Sequence, residues 1–246
     1  RTLIEVGSRR PHEQAAVAAA RAAYLAGFAG SSNLEAQRCY GVPALGTSAH
    51  AFTLLHTTGD GPDEKAAFRA QVAALGVGTT LLVDTYDITQ GVANAVDVAG
   101  PQLGAVRIDS GDLGVLARQV RAQLDGLGAT NTRIVVSGDL DEFAIAGLRA
   151  EPVDIYGVGT SVVTGSGAPT ASMVYKLVEV DGMPVEKRSL HKESHGGRKK
   201  ATRLAKRSGT IVEEIVYPVA GSAPEFDLAA RDLTVPLVVC GETVAD

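Results

Sequence analysis

Short aliphatic or β-branched runs alternate with helical patterns along the first 160 residues. TLIEV (2–6) is followed by an Ala-rich helical stretch from His12 to Phe28, and VPALGT (42–47) by a mixed polar and apolar segment to Leu75. TTLLVDTYD (79–87) leads into Ile88–Val98, LGAVRIDSGDLG (103–114) into Val115–Leu127, and TRIVVSGDL (132–140) into Asp141–Leu148, before VDIYGVGT closes the series at Thr160. This alternation predicts parallel strands joined by right-handed helical crossovers, as a barrel or a doubly wound sheet. Nearly all six strand ends finish in Gly, Ser, Thr or Asp, and in such architectures the functional site lies where the carboxyl ends of the strands converge. From about Ser172 the pattern changes: MVYKLVEVDGMPVEKRSL (173–190) is two alternating runs around Asp181-Gly182, a hairpin signal. The expected division is an α/β catalytic domain over 1–171 and a smaller β-rich appendage over 172–246. The basic HKESHGGRKKATRLAKR (191–207) reads as a solvated loop or as a lip over a phosphate site.

Composition narrows the class. A chain of 246 residues, 45% hydrophobic and 21% charged, can bury one substantial core or two modest ones. Its net charge of −5 gives no general reason to expect nucleic acid or an anionic membrane as partner. No apolar run has the length that spans a bilayer, and the N-terminus lacks a signal pattern. Cys39 and Cys240 stand far apart without metal spacing, so they read as ordinary thiols and a reducing cytoplasm fits. The chain begins without Met and directly on a strand, the expectation being that it is part of a longer protein.

The strand ends carry the chemistry. Ser137-Gly138-Asp139 and Gly157-Val158-Gly159-Thr160 follow apolar strands, where backbone N–H groups can approach an anion without interference from Cβ. Short Gly turns also occur at such junctions for steric reasons alone. Asp84 and Asp109 would face the same cavity, suited to Mg²⁺ or to ribose hydroxyls; the alternative is that they cap the following helices. His50, at the start of a helical pattern after VPALGT, should point into the same mouth as base, donor or phosphate acceptor. Arg9 and Arg10 are paired after the Val6-Gly7-Ser8 turn, and Arg offers a planar fork to carboxylate or phosphate oxygens; a pair of surface arginines is the other reading. Arg107 with Asp109, Ser110 and Asp112 crowds a cation, two carboxylates and a hydroxyl at one strand end.

Taken in order, GSRRPHEQAAVAAARAAYLAGFAGSSNLEAQRCYGVPALGTSAHAF, LLVDTYD, AVRIDSGDL, IVVSGDLDE, IYGVGT and VYKLVEVDGMPVEKRS with HKESHGGRK closely resemble the nicotinate phosphoribosyltransferase family, from residue 1 to about 205. The resemblance implies a type II phosphoribosyltransferase, an irregular parallel α/β barrel with an appended β-rich domain. It implies transfer from phosphoribosyl pyrophosphate to nicotinate with coupled ATP hydrolysis, the first step of NAD salvage from nicotinate. It further implies that His50 is phosphorylated from ATP, and that Arg107 and Arg9 lie near the nicotinate carboxylate. Asp84 and Asp109 would lie near Mg²⁺ and the ribose, Ser137, Gly138 and Asp139 on the ribose side, and Gly157, Gly159 and Thr160 around the 5′-phosphate. Family chains are longer, and a missing N-terminal portion would complete the β-rich domain and supply an aromatic that stacks on the pyridine from a partner subunit, implying a homodimer with shared sites. Val6 stands where an aromatic is expected and Ser48 where Met or Leu is more usual.

Two other readings remain at this stage. A related enzyme acting on nicotinamide or quinolinate would share the fold, but Arg9 plus Arg107 favour an acidic base, because an amide would leave one cation unpaired. A non-catalytic phosphate-binding barrel would not need both Asp84 and Asp109. No Ser-His-Asp or Cys-His arrangement is found, as expected if the pyridine nitrogen is itself the nucleophile.

Overall fold

The computed structural model describes residues 1–165, 167–171, 173–188, 194–221 and 224–244. The chain divides into two compact units, Arg1–Leu177 with Lys187–Ser194, and Val178–Glu186 with His195–Asp246.

The first unit is built on six parallel strands: β1 (Thr2–Glu5), β2 (Gly30–Ser31), β5 (Thr80–Leu82), β6 (Ala105–Ile108), β7 (Arg133–Ser137) and β8 (Ile155–Val158), in the order β2-β1-β8-β7-β6-β5. The first strand pairs with the last, Glu5 opposite Val158 and Ile4 opposite Gly157, which is the neighbour relation that barrel closure needs. The sheet curls into a half-barrel. Between these strands run α1 (Glu13–Leu25), α2 (Leu34–Tyr40), α3 (His50–Leu54), the hairpin β3 (Thr57–Thr58) and β4 (Gly61–Pro62), α4 (Glu64–Leu75), α5 (Ile88–Ala99), α6 (Leu113–Gly126) and α7 (Glu142–Gly147), with α8 (Thr160–Thr164) after β8.

Strand periodicity sorts the side chains into two layers. Val83, Val106, Ile108, Ile134, Val136, Tyr156 and Val158 join Phe68, Val92, Val120 and Leu124 of the helices in the main core. Ala105, Val135 and Ile155, with Ile4 against them, form a separate cluster on the opposite, inner face. Alternation therefore places Asp84, Arg107, Asp109, Ser137 and Gly157 on the inner face. Because both faces are covered, β7 and β8 read as near-continuous apolar runs.

Two expectations need correction. VPALGT is not a full strand: the second strand is Gly30–Ser31, and 42–47 contributes one parallel bridge, Ala44 to Ser31. Pro43 has no N–H to offer a ladder, and it packs so closely that a Cβ on Gly30 would lie 2.3 Å from its carbonyl oxygen. The segment reaching Leu75 is not one element but α3, the β3–β4 hairpin and α4, which starts where the Asp63 carboxylate accepts from Ala66 N–H at 2.8 Å.

In the second unit, β9 (Glu179–Val180) and β10 (Met183–Pro184) form the predicted hairpin, its turn made by Asp181 and Gly182 at φ 48° and 78°. Both central residues in the left-handed region mark the turn that suits strand twist. Strands β11 (Lys199–Ala205), β12 (Ile211–Pro218) and β13 (Ala229–Asp232) make an antiparallel sheet with β11 central, and β14 (Val238–Val239) pairs with β15 (Glu242–Thr243). The basic stretch, read as a solvated loop or as a lip over a phosphate site, is in part a central strand, while His191–Glu193 lie outside the described residues. No helix among the described residues is long and apolar enough to cross a membrane.

Candidate active site

The parallel register aligns the strand carboxyl ends, so residues distant in sequence meet on the inner face. Arg107, from β6, donates through Nε to Ser137 Oγ at 2.8 Å, through Nη1 to Thr47 Oγ1 at 2.6 Å and through Nη2 to Asp109 Oδ1 at 2.7 Å. A guanidinium has five N–H groups, so one remains on each terminal nitrogen for a further acceptor. Asp109 Oδ1 also accepts from Ser137 Oγ at 2.6 Å. Burial acts to raise the Asp109 pKa, but the Arg107 guanidinium and the Ser137 hydroxyl hold it well below the usual carboxylate range.

Asp84 follows β5 and is fully buried. Its Oδ2 accepts from Ser110 Oγ at 2.8 Å, Asp109 N–H at 3.2 Å and Lys187 Nζ at 3.5 Å, whereas Oδ1 has no hydrogen-bond partner and lies 3.6 Å from His50 Nε2. Asp109 Oδ2 lies 3.7 Å from the same nitrogen. Neither aspartate caps a helix: those roles fall to Asp87 and Asp112, whose carboxylates accept from Gln90 and Val115 N–H. The capping alternative for Asp84 and Asp109 is thereby removed.

His50 begins α3, with Nδ1 3.1 Å from Thr85 Oγ1 and Nε2 2.8 Å from Lys187 Nζ. An ammonium can only donate, so Nε2 is the bare nitrogen and Nδ1–H points to Thr85. Thr47, Thr85 and Lys187 were not singled out from the sequence, whereas Ser110 was. Lys187 comes from far along the chain inside the KRS of the hairpin-like run, and no local spacing ties it to His50; Thr47 and Thr85 adjoin motifs that were read, and parity at a strand end was the signal that could have found them.

Two oxygens, Asp84 Oδ1 and Asp109 Oδ2, converge on one point from separate strands. A pair of carboxylates suits Mg²⁺, a hard cation that is usually held by one or two of them plus substrate phosphates. No group of three or more His, Cys, Asp or Glu that could hold a metal occurs among the described residues, so phosphate oxygens would have to complete such a site.

The remaining predicted positions form a second patch. Gly138 and Asp139 have φ 123° and 51°; glycine takes a positive φ freely, whereas Asp139 in the left-handed region is of the kind held under strain at functional sites. Asp139 and Thr160 line a cavity of about 240 Å³ with Asp141, Ser161, Thr164 and Gly165. Gly157 joins the patch to the first cluster, because a Cβ there would lie 3.2 Å from Ser137 Cβ; Gly159 caps α8. Arg9 stands apart: its side chain is exposed, in a turn closed by Arg10 N–H to Gly7 O at 2.9 Å. Arg10 donates to Met173 O at 3.1 Å.

No family model matches the chain. It is 72% identical over its whole length to the nicotinate phosphoribosyltransferase pncB1 of Mycobacterium tuberculosis, covering 55% of that protein. To the Bacillus subtilis nicotinate phosphoribosyltransferase it is 38% identical, over 83% of this chain and 44% of that one. A crystal structure of human nicotinic acid phosphoribosyltransferase superposes with a TM-score of 0.53 at 28% identity, over 92% of this chain and 53% of that one. The nicotinate-nucleotide pyrophosphorylase of Pyrococcus furiosus gives 0.60 at 27%, over 100% and 61%. The chain spans about half the length of the curated relatives it matches, and with that extent it belongs to the nicotinate phosphoribosyltransferase family.

Proposed function

We propose that the full-length protein transfers the phosphoribosyl group of phosphoribosyl pyrophosphate to nicotinate, forming nicotinate mononucleotide and pyrophosphate, with ATP hydrolysis coupled through His50. The observation that carries this reading is the Arg107 guanidinium, which Ser137, Thr47 and Asp109 hold beside the carboxylates and imidazole of Asp84, Asp109 and His50. The pyridine nitrogen attacks the ribose carbon as its bond to pyrophosphate breaks, and positive charge develops on the sugar. Asp109, kept anionic by Arg107 and Ser137, stabilises that charge electrostatically. Mg²⁺ held by Asp84, Asp109 and substrate phosphates would neutralise the leaving group. The 138–139 turn would lie on the ribose side, and the 157–160 turn would take the ribose 5′-phosphate.

The bare Nε2 of His50 is the nucleophile toward ATP: an N–P bond forms as the β–γ phosphoanhydride breaks and ADP departs. Lys187, 2.8 Å away, neutralises the transferred group, and Thr85 keeps the proton on Nδ1. Water later cleaves the N–P bond. A cytoplasmic homodimer with shared sites completes the proposal. Exposed free thiols at Cys39 and Cys240 suit a reducing compartment, and Met173 and Tyr175, 78% and 99% exposed, offer apolar surface to a partner.

The test is turnover by the full-length protein with nicotinate, nicotinamide or quinolinate, with and without ATP. Nicotinate mononucleotide should form from nicotinate, faster with ATP; equal use of nicotinamide, or no turnover of any base, would sink the reading. Radiolabelled ATP should leave an acid-labile, base-stable label that His50→Ala abolishes.

A further inference from the structure

Glu5 is a carboxylate with no exposed surface, and among the described residues it forms no ion pair. Burying an anion without a cation costs several kcal/mol unless hydrogen bonds replace its water. Strand parity puts it on the wrong side to touch substrate: Ile4 and Gly157 are opposite each other on the inner face, so Glu5 and its partner Val158 point toward the helices. Its function must therefore lie in what its two oxygens hold. Oε1 accepts from Gly7 N–H. Oε2 accepts from Ser31 Oγ at 2.5 Å, and that Oγ accepts in turn from Asn33 N–H at 2.9 Å. Asn33 Nδ2 donates to Ser8 Oγ at 3.0 Å, which closes a ring from β1 through the edge strand β2 to the Gly7-Ser8-Arg9 turn.

The turn in this ring is packed onto another. A Cβ on Gly7 would lie 2.7 Å from Gly159 O and 2.6 Å from Val163 Cγ1, so Gly7 backbone rests directly on the Gly157–Thr160 turn and the first turn of α8. Val6 N–H donates to Val158 O at 2.8 Å just before this contact. Fixing the Gly7 amide thus fixes two loops at once, one bearing Arg9 and one lining the phosphate end.

We propose that Glu5 is a positioning residue that locks the Arg9 turn against the Gly157–Thr160 turn, setting together the nicotinate end and the phosphate end of the site. The inference rests on the nicotinate phosphoribosyltransferase reading for what those ends bind. Glutamine at this position keeps the volume and one acceptor but presents NH₂ to Ser31, whose hydroxyl then loses its acceptor, and the ring opens.

The test uses the full-length protein as wild type, Glu5→Gln and Ser31→Ala, with backbone hydrogen exchange and steady-state kinetics. Glu5→Gln should speed exchange about tenfold at residues 7–10 and 157–161 while the amides of β6 and β7 stay unchanged. KM for nicotinate and for phosphoribosyl pyrophosphate should both rise, roughly ten- to a hundredfold for a sub-ångström displacement, with kcat changed less. Unchanged exchange at the two turns, or a uniform rise across the sheet, overturns the proposal. If Glu5→Gln does not fold, Ser31→Ala decides by the same readings: faster exchange at both turns supports the lock, and unaltered turns refute it. A wild type that uses no base refutes the assigned reaction, while the exchange data still judge Glu5.

Discussion

Glu64 offers a quantitative test of how the fold treats charge near the candidate site. It is the first residue of α4, 7% exposed, with Oε2 accepting from Asn94 Nδ2 at 3.0 Å and Oε1 without a partner. Burial pushes its carboxyl up to about 7; the Asn94 hydrogen bond opposes this in part, and the charges of Asp84 and Asp87 add to it. The folded state therefore holds the proton more tightly than the unfolded one. Below pH 4.5 both states are protonated and nothing is lost. Between 4.5 and about 7 the unfolded chain releases the proton first, so stability falls as pH rises, and above 7 the loss is complete. A rise from 4.5 to about 7, at about 1.4 kcal/mol per pH unit, amounts to about 3 kcal/mol. Glu64→Gln mimics the protonated acid, keeping the acceptor for Asn94 without the charge. In urea titrations, with the α/β transition identified by exchange of α4 and α5 amides, the variant and wild type should match near pH 4.5. The variant should then gain progressively, to a few kcal/mol at pH 8. A difference independent of pH would refute the argument.

Arg107→Lys retains a cation for Asp109 but removes the planar fork, so KM for nicotinate should rise on the order of a hundredfold while that for phosphoribosyl pyrophosphate moves little; equal increases would mean that Arg107 does not face the carboxylate. Thr85→Val removes the acceptor for His50 Nδ1–H, and labelling of His50 by ATP should slow about tenfold while the ATP-independent reaction persists; unaltered labelling would show that another group fixes the tautomer.

The strand–helix alternation was legible because each unit is local: an apolar run, a helix capped by Asp63, Asp87, Asp112 or Asp141, and a Gly or Asp turn lie close in sequence. Their convergence followed from parallel register, which places Asp84, Arg107, Asp109 and Ser137 at one end by parity alone. What escaped was of two kinds. The edge strand Gly30–Ser31 is too short and too small in side chain to signal itself; it exists because Gly30 lets Pro43 pass and Ser31 meets Glu5, both facts of distant partners. Lys187 escaped for the same reason, since its relation to His50 spans 137 residues and leaves no periodic trace. Glu5 is the sharper case. In sequence it is the one charged residue of the TLIEV run, and a charge in a strand ordinarily marks a solvent-facing position. The structure buries it because a strand covered on both faces has no solvent side. A charged residue in such a strand must find its partners inside the fold, and at the carboxyl end of a parallel strand the nearest donors are the amides of the turn that follows. A carboxylate at the last position of a two-face-covered strand is thus itself evidence about the turn, as Glu5 is for Gly7–Arg10.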